Sequence, residues 1–164
     1  MGEARLIRIL AALTFLLPAA ILPASAQANG CYINDGLGWV IAKATSQQRQ
    51  VNGLGPVEMD PRLILTAEAQ ACDMAQKGFF DHTGSDGSTV MIRAKREGYR
   101  ACLIAENIAM GQRNPRVTFD DWMKSPGHRR NILLKDVTQI GVAVVPKRGG
   151  NGPWYVMVLA RPCD

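Results

Sequence analysis

Two apolar stretches near the C-terminus constrain the fold most. Residues 137–145 (VTQIGVAVV) and 154–160 (WYVMVLA) are rich in β-branched and aromatic side chains, and a glycine-bearing segment, 147–153, joins them. That is the pattern of two strands and a hairpin loop. Neither stretch alternates between apolar and polar. Val142 and Val144 face one way and Ala143 and Val145 the other; Trp154, Val156 and Val158 oppose Tyr155, Met157 and Leu159. A strand that is apolar on both faces needs cover on both. The sheet is therefore predicted to lie between two helical layers, a three-layer α/β/α sandwich with mainly antiparallel pairing.

Upstream segments supply the helices. Residues 37–51 carry apolar positions at Val40, Ile41, Ala44 and Val51, and Asn52-Gly-Leu-Gly-Pro56 ends the run. Asp60-Pro61 reads as an N-cap with proline at N1, opening an alanine-rich helix that Gly78 stops. Ser88 or Thr89 caps a short basic helix that ends near Gly98. Residues 101–105 form a strand leading straight into Glu106, and residues 110–115 a loop. Thr118 is expected to cap a helix that breaks at Ser125-Pro126 and restarts with Ser125 as N-cap and His128 at N3.

The first 26 residues read as a cleaved export signal. Arg5 and Arg8 precede the apolar run 9–22, and Ala24-Ser25-Ala26 forms the cleavage site. Residues 27–40 are expected to be a lead-in. Export, to periplasm or medium, leaves no membrane anchor after cleavage. Four cysteines follow, Cys31, Cys72, Cys102 and Cys163. An even number in an exported chain reads as two disulfides, with three pairings available. The preferred one is Cys31–Cys163, tying the ends together, with Cys72–Cys102 pinning a helix to the segment before Glu106. The formal net charge of +5 comes without a dense Lys/Arg run interleaved with aromatics, so nucleic acid is not an expected partner. A monomer is expected.

The chemistry gathers on few residues. The two histidines, His82 and His128, both sit beside turn formers, and Glu106 follows a strand. Two imidazoles and a carboxylate would suit a divalent cation such as zinc. No H-E-x-x-H spacing and no G-x-S-x-G elbow occurs, and Ser125 is explained as a helix cap rather than a nucleophile.

A series of short motifs in fixed order then carries a resemblance. Phe80-x-His82, Asp86-Gly-Ser88, Ala105-Glu-Asn-Ile-Ala109, Trp122-Met-x-Ser-Pro-Gly-His128-Arg-x-Asn-Ile-Leu133 and Ile140-Gly-Val-Ala143 are similar to a CAP domain. This is the superfamily of cysteine-rich secretory proteins, antigen 5 and pathogenesis-related proteins, here in its bacterial branch. The match runs from about residue 41 to residue 164. The resemblance implies an α/β/α sandwich with a central cleft of two histidines and two acids. His82, His128 and Glu106 match three of these, while Ser125 stands at the second acidic place.

Two functions are carried forward. In the first, the cleft formed by His82, Glu106, Ser125 and His128 binds a small lipid-like or cell-envelope ligand without turnover. In the second, a metal-assisted hydrolase acts on peptide or cell-wall material with Glu106 as general base. The lack of a recognisable nucleophile and the serine at the second acidic place favour binding over catalysis.

Overall fold

The two doubly apolar strands pair as expected and set the frame. A computed structural model describes residues 31–147 and 152–163; the expected export signal and the first residues of the lead-in, 27–30, lie outside them. The elements run α1 (Asp35–Val51), β1 (Glu58–Met59), α2 (Pro61–Lys77), α3 (Val90–Arg96), β2 (Ala101–Met110), α4 (Pro115–Lys124), α5 (Pro126–Ile132), β3 (Gln139–Val145) and β4 (Trp154–Pro162). The sheet order is β1-β3-β4-β2. β3 and β2 both pair antiparallel with β4, and β1 pairs parallel with β3. Among the described residues no helix is long and apolar enough to cross a membrane.

Alternation along β3 and β4 splits the core in two. Ile140, Val142, Val144, Tyr155, Met157 and Leu159 pack with Ile41, Phe119, Trp122 and Ile132 from α1, α4 and α5. Ala143, Val145, Val156, Val158 and Ala160 pack with Leu63, Ala67, Ala71 and Met74 of α2 and Ala94 of α3. The sheet is thus covered on both faces, as two-sided apolar strands require.

Backbone contact brings the helices close. A Cβ on Gly141 would run into the backbone carbonyl of Leu63, and one on Gly38 would stand 2.8 Å from the Val142 oxygen. β3 is therefore gripped on one face by α2 and on the other by α1. A buried arginine fastens α1 to the chain entering β3. Arg49 donates to the carbonyls of Gly55 (2.9 Å), Ile132 (3.0 Å), Leu134 (2.7 Å) and Val137 (2.9 Å). Bonds of this charge-assisted kind contribute about 1.5–3 kcal/mol each.

Several boundaries differ from expectation. α1 starts at Asp35 because Asn34 caps it, its side chain accepting from Leu37 N. α4 is capped by Asn114, with Pro115 behind it, and not by Thr118, whose hydroxyl instead donates to Asn114 O. β2 continues to Met110, because β4 supplies partners for it as far as Trp154. Glu106 consequently lies within the strand.

The disulfides also differ. They join Cys31 to Cys72 and Cys102 to Cys163, not Cys31 to Cys163 and Cys72 to Cys102. The antiparallel register of β2 and β4 pairs Ala101 with Pro162, which sets Cys102 beside Cys163 with their Cα atoms 4.8 Å apart. The segment around Ile33 packs in the α2 layer, and that carries Cys31 to Cys72.

Replacing Gly141 by alanine forces a methyl group into the backbone of α2. The loss of folding stability is expected to reach about 3 kcal/mol, read as a lower urea midpoint with an unchanged slope.

Candidate functional site

Consecutive residues of β2 point to opposite layers, and each reaches one histidine segment. Glu106 faces α3. Its side chain is 3% exposed, and Arg93 Nη2 donates to Oε2 at 2.7 Å. His82 Nδ1 donates to Oε1 at 2.8 Å. Because a carboxylate only accepts, Nδ1 carries the proton, and Nε2 is the ring atom left for a ligand. Asn107 faces the other layer. Its Nδ2 donates to His128 O at 3.1 Å, and its Oδ1 accepts from Asn131 Nδ2 at 2.9 Å. Asn131 Nδ2 also reaches Glu106 O at 3.2 Å.

Arg93 does more than neutralise a carboxylate. It donates to Ser88 O at 2.7 Å and to His82 O at 3.2 Å, so it holds the loop on which His82 stands. On the far side, the Trp122 ring lies 6.3 Å from the His128 ring, centroid to centroid, and Trp122 Nε1 donates to Ile108 O at 3.2 Å. The helix junction that carries His128 is thereby fixed to β2 as well.

The histidines look onto one cavity of about 520 Å³. Phe80, Ile108, Ala109, Met110 and Trp122 supply its apolar lining, and Asp81, His82, Gln112, Asp121, Ser125 and His128 its polar lining. Ser125 makes no cap bond with its side chain, contrary to its expected role. Its φ and ψ of −83° and 120° end α4 and start α5, and Pro126 supplies the stop. Glu106 is walled off behind His82 and is not part of the lining.

The two imidazoles titrate in opposite directions. The hydrogen bond to Glu106 raises the pKa of His82, partly opposed by burial. Burial lowers that of His128, and the charge of His82 adds to the effect. Burial and the neighbouring His82 thus bias His128 toward its neutral form. Between the two values the cavity presents one imidazolium and one imidazole.

The model of CAP, described as the cysteine-rich secretory protein family, matches residues 43–160. The chain belongs to the cysteine-rich secretory protein family. The uncharacterised Bacillus subtilis protein YkwD is 37% identical over 105 residues, 64% of this chain but only 41% of that relative. Among solved structures, an extracellular SCP-domain protein from Bacillus anthracis superposes with a TM-score of 0.70 at 24% identity, covering 77% of this chain and 41% of that one. An outer surface protein from Borrelia burgdorferi gives 0.72 at 19% identity, covering 81% and 99%. At these identities the two structures establish the CAP fold alone.

The residues present do not fit a resident metal. Among the described residues no three His, Cys, Asp or Glu side chains are grouped to hold one. Both oxygens of Glu106 already accept from His82 and Arg93, and a serine occupies the second acidic place. Three residues that organise the cleft are not among the sequence candidates: Arg93, Asn107 and Asn131. Asn107 and Asn131 lie within the motifs that carry the resemblance, whereas nothing local distinguishes Arg93 from the other charges of its basic helix.

NMR titration of the ring protons should place the midpoint of His82 above about 6.5 and that of His128 below it. The sign for stability follows from linkage. His82 contributes fully below about 6.5, and its contribution is lost as pH rises through its raised folded value. His128 does the reverse: its contribution is full above the ordinary value and is lost as pH falls toward its lowered folded value. The Tm difference between wild type and His82→Gln should accordingly shrink as the pH is raised; a constant difference would rule out the Glu106 bond as its cause.

Proposed function

We propose that this CAP domain is an exported binding module whose cleft takes a small lipid-like or cell-envelope ligand. The observation that supports this reading is the division of the cavity: an apolar lining from Phe80, Ile108, Ala109, Met110 and Trp122, and a polar set in which Asp81 and Asp121 accompany His82, Gln112, Ser125 and His128. A volume of about 520 Å³ lies in the range of small-molecule sites. His82, biased toward its charged form by Glu106, suits an anionic or acceptor head group. Ser125 contributes a hydroxyl uncommitted to the helix end, and the apolar lining suits a short alkyl or ring system.

Two disulfides belong to an oxidising compartment, and the leader expected over residues 1–26 supplies the export route. Relatives described as extracellular and as an outer surface protein support the same location, periplasm or medium. The whole of the longer relatives' activity does not transfer, since this chain spans 41% of the first of them.

The hydrolase alternative needs Glu106 to take a proton from water. Each of its oxygens already accepts an N–H, and the carboxylate stands outside the cavity lining. These two facts favour binding.

Isothermal titration with decyl phosphate tests the reading. Saturable binding is expected, weakened about tenfold or more in His82→Gln, which is about 1.4 kcal/mol. Absence of saturable heat would refute an anionic-lipid-like ligand. Chelator-sensitive cleavage of peptide or glycan substrates, lost in Glu106→Gln, would establish the hydrolase instead.

A further inference from the structure

α1 buries one side against the sheet and leaves an aromatic ring on the other. Ile41, Ala42, Thr45 and Arg49 are buried, while Trp39 is 55% exposed and Val40 and Lys43 are exposed beside it. Trp39 and Lys43 are neighbours one helical turn apart, and Lys43 Nζ lies 5.1 Å from the centroid of the Trp39 ring. The core does not use this indole.

Grooves adjoin the pair on two sides. One, of about 290 Å³, lies between α1 and α4, with Val40, Gln47, Arg116 and Phe119 in its lining. The other, of about 300 Å³, lies between α1 and β1, with Ser46 and Met59 in its lining. Trp39 and Lys43 line both. None of these residues belongs to the cleft.

The lining narrows the chemistry. It holds two cations, Lys43 and Arg116, and no carboxylate, whereas the cleft includes Asp81 and Asp121. Among the described residues neither cation is paired with an acid. An anionic occupant therefore meets attraction in these grooves without an opposing charge in their walls. Two grooves that share one exposed ring suit a linear molecule crossing that ring better than a compact one. A peptide needs backbone partners, and this face offers few. α1 and α4 use most of theirs inside the helices, and β1 is two residues long. Recognition falls to side chains. The negative face of an indole attracts the C–H bonds of a saturated ring. An ammonium and a guanidinium suit carboxylates, and the exposed amide of Gln47 suits hydroxyls.

We propose that this face binds a linear acidic polysaccharide, whose pyranose rings stack on Trp39 and whose carboxylates meet Lys43 and Arg116. The surface is separate from the cleft and does not depend on what the cleft holds.

The test is a titration of the oxidised protein with tetragalacturonate. It is read by heat and, in ¹⁵N-labelled protein, by the Trp39 indole N–H, the resonance missing from Trp39→Ala. Cellotetraose is the neutral control; polyglutamate and phosphatidylglycerol vesicles stand for an acidic peptide and a membrane surface. Saturable binding that moves the Trp39 signal and weakens with added salt is expected. Cellotetraose should bind about tenfold more weakly or not at all. Trp39→Ala, and separately Lys43→Gln combined with Arg116→Gln, should each raise the Kd about tenfold or more, a change of about 1.4 kcal/mol. All three positions are exposed, so Tm should stay at the wild-type value and separate lost contacts from lost folding. No saturable binding, equal binding of cellotetraose, or unaltered affinity in either variant would overturn the proposal. Tighter binding of polyglutamate or of the vesicles would overturn it too and assign the face to that occupant.

Discussion

Burying a carboxylate without a partner is costly, and Glu106 is buried to within 3% of its side-chain surface. Arg93 makes this tolerable. Its guanidinium is as deeply buried and meets Glu106 Oε2 at 2.7 Å. Such pairs break even only when the remaining donors and lone pairs are also used. Here Ser88 O, His82 O and His82 Nδ1 use most of them. Removing either partner would leave a lone charge in the core, at about 3–5 kcal/mol. The stakes go beyond stability, because the bonds that offset the desolvation are the bonds that position His82.

The cleft follows from strand geometry. β2 is an edge strand, so the layers on its two faces can meet around it. Glu106 anchors one layer through Arg93 and His82, and Asn107, one residue on, anchors the other through His128 and Asn131. A period of two residues thus delivers two histidines from different helical layers to one cavity. The same asymmetry sets their charge. His82 has a carboxylate partner, whereas His128 has burial and a positive neighbour, so the pair is polarised before any ligand arrives.

Much of the fold is legible in the sequence because its signals are local. The two-sided strands 137–145 and 154–160 require helical cover, and the structure provides it on both faces. Asp60 and Gly78 bound α2 through capping physics that needs only neighbouring residues. Ser125 misleads for a related reason: Ser-Pro fits a cap pattern, yet a backbone turning directly from α4 into α5 leaves its hydroxyl without that bond. The disulfides depend on which strand borders β4, and no local pattern encodes the β2–β4 register. Arg93 is hidden likewise. On a basic helix, one arginine that turns inward looks like those that do not, and its partner lies 13 residues away.

The walling-off of Glu106 bears on what kind of site this is. A general base must reach a proton on substrate or water, and a carboxylate spent on Arg93 and His82 instead fixes a tautomer and a ring orientation. That makes Glu106 a positioning residue for His82, much as carboxylates behind histidines serve in other sites. With Ser125 at the place the resemblance gives to the second acid, the cavity combines an imidazole biased toward its charged form at His82, one biased toward its neutral form at His128, a hydroxyl at Ser125, the carboxylates of Asp81 and Asp121, and an apolar lining around Trp122. On the proposed binding reading, such a site selects by matching a head group and an apolar body.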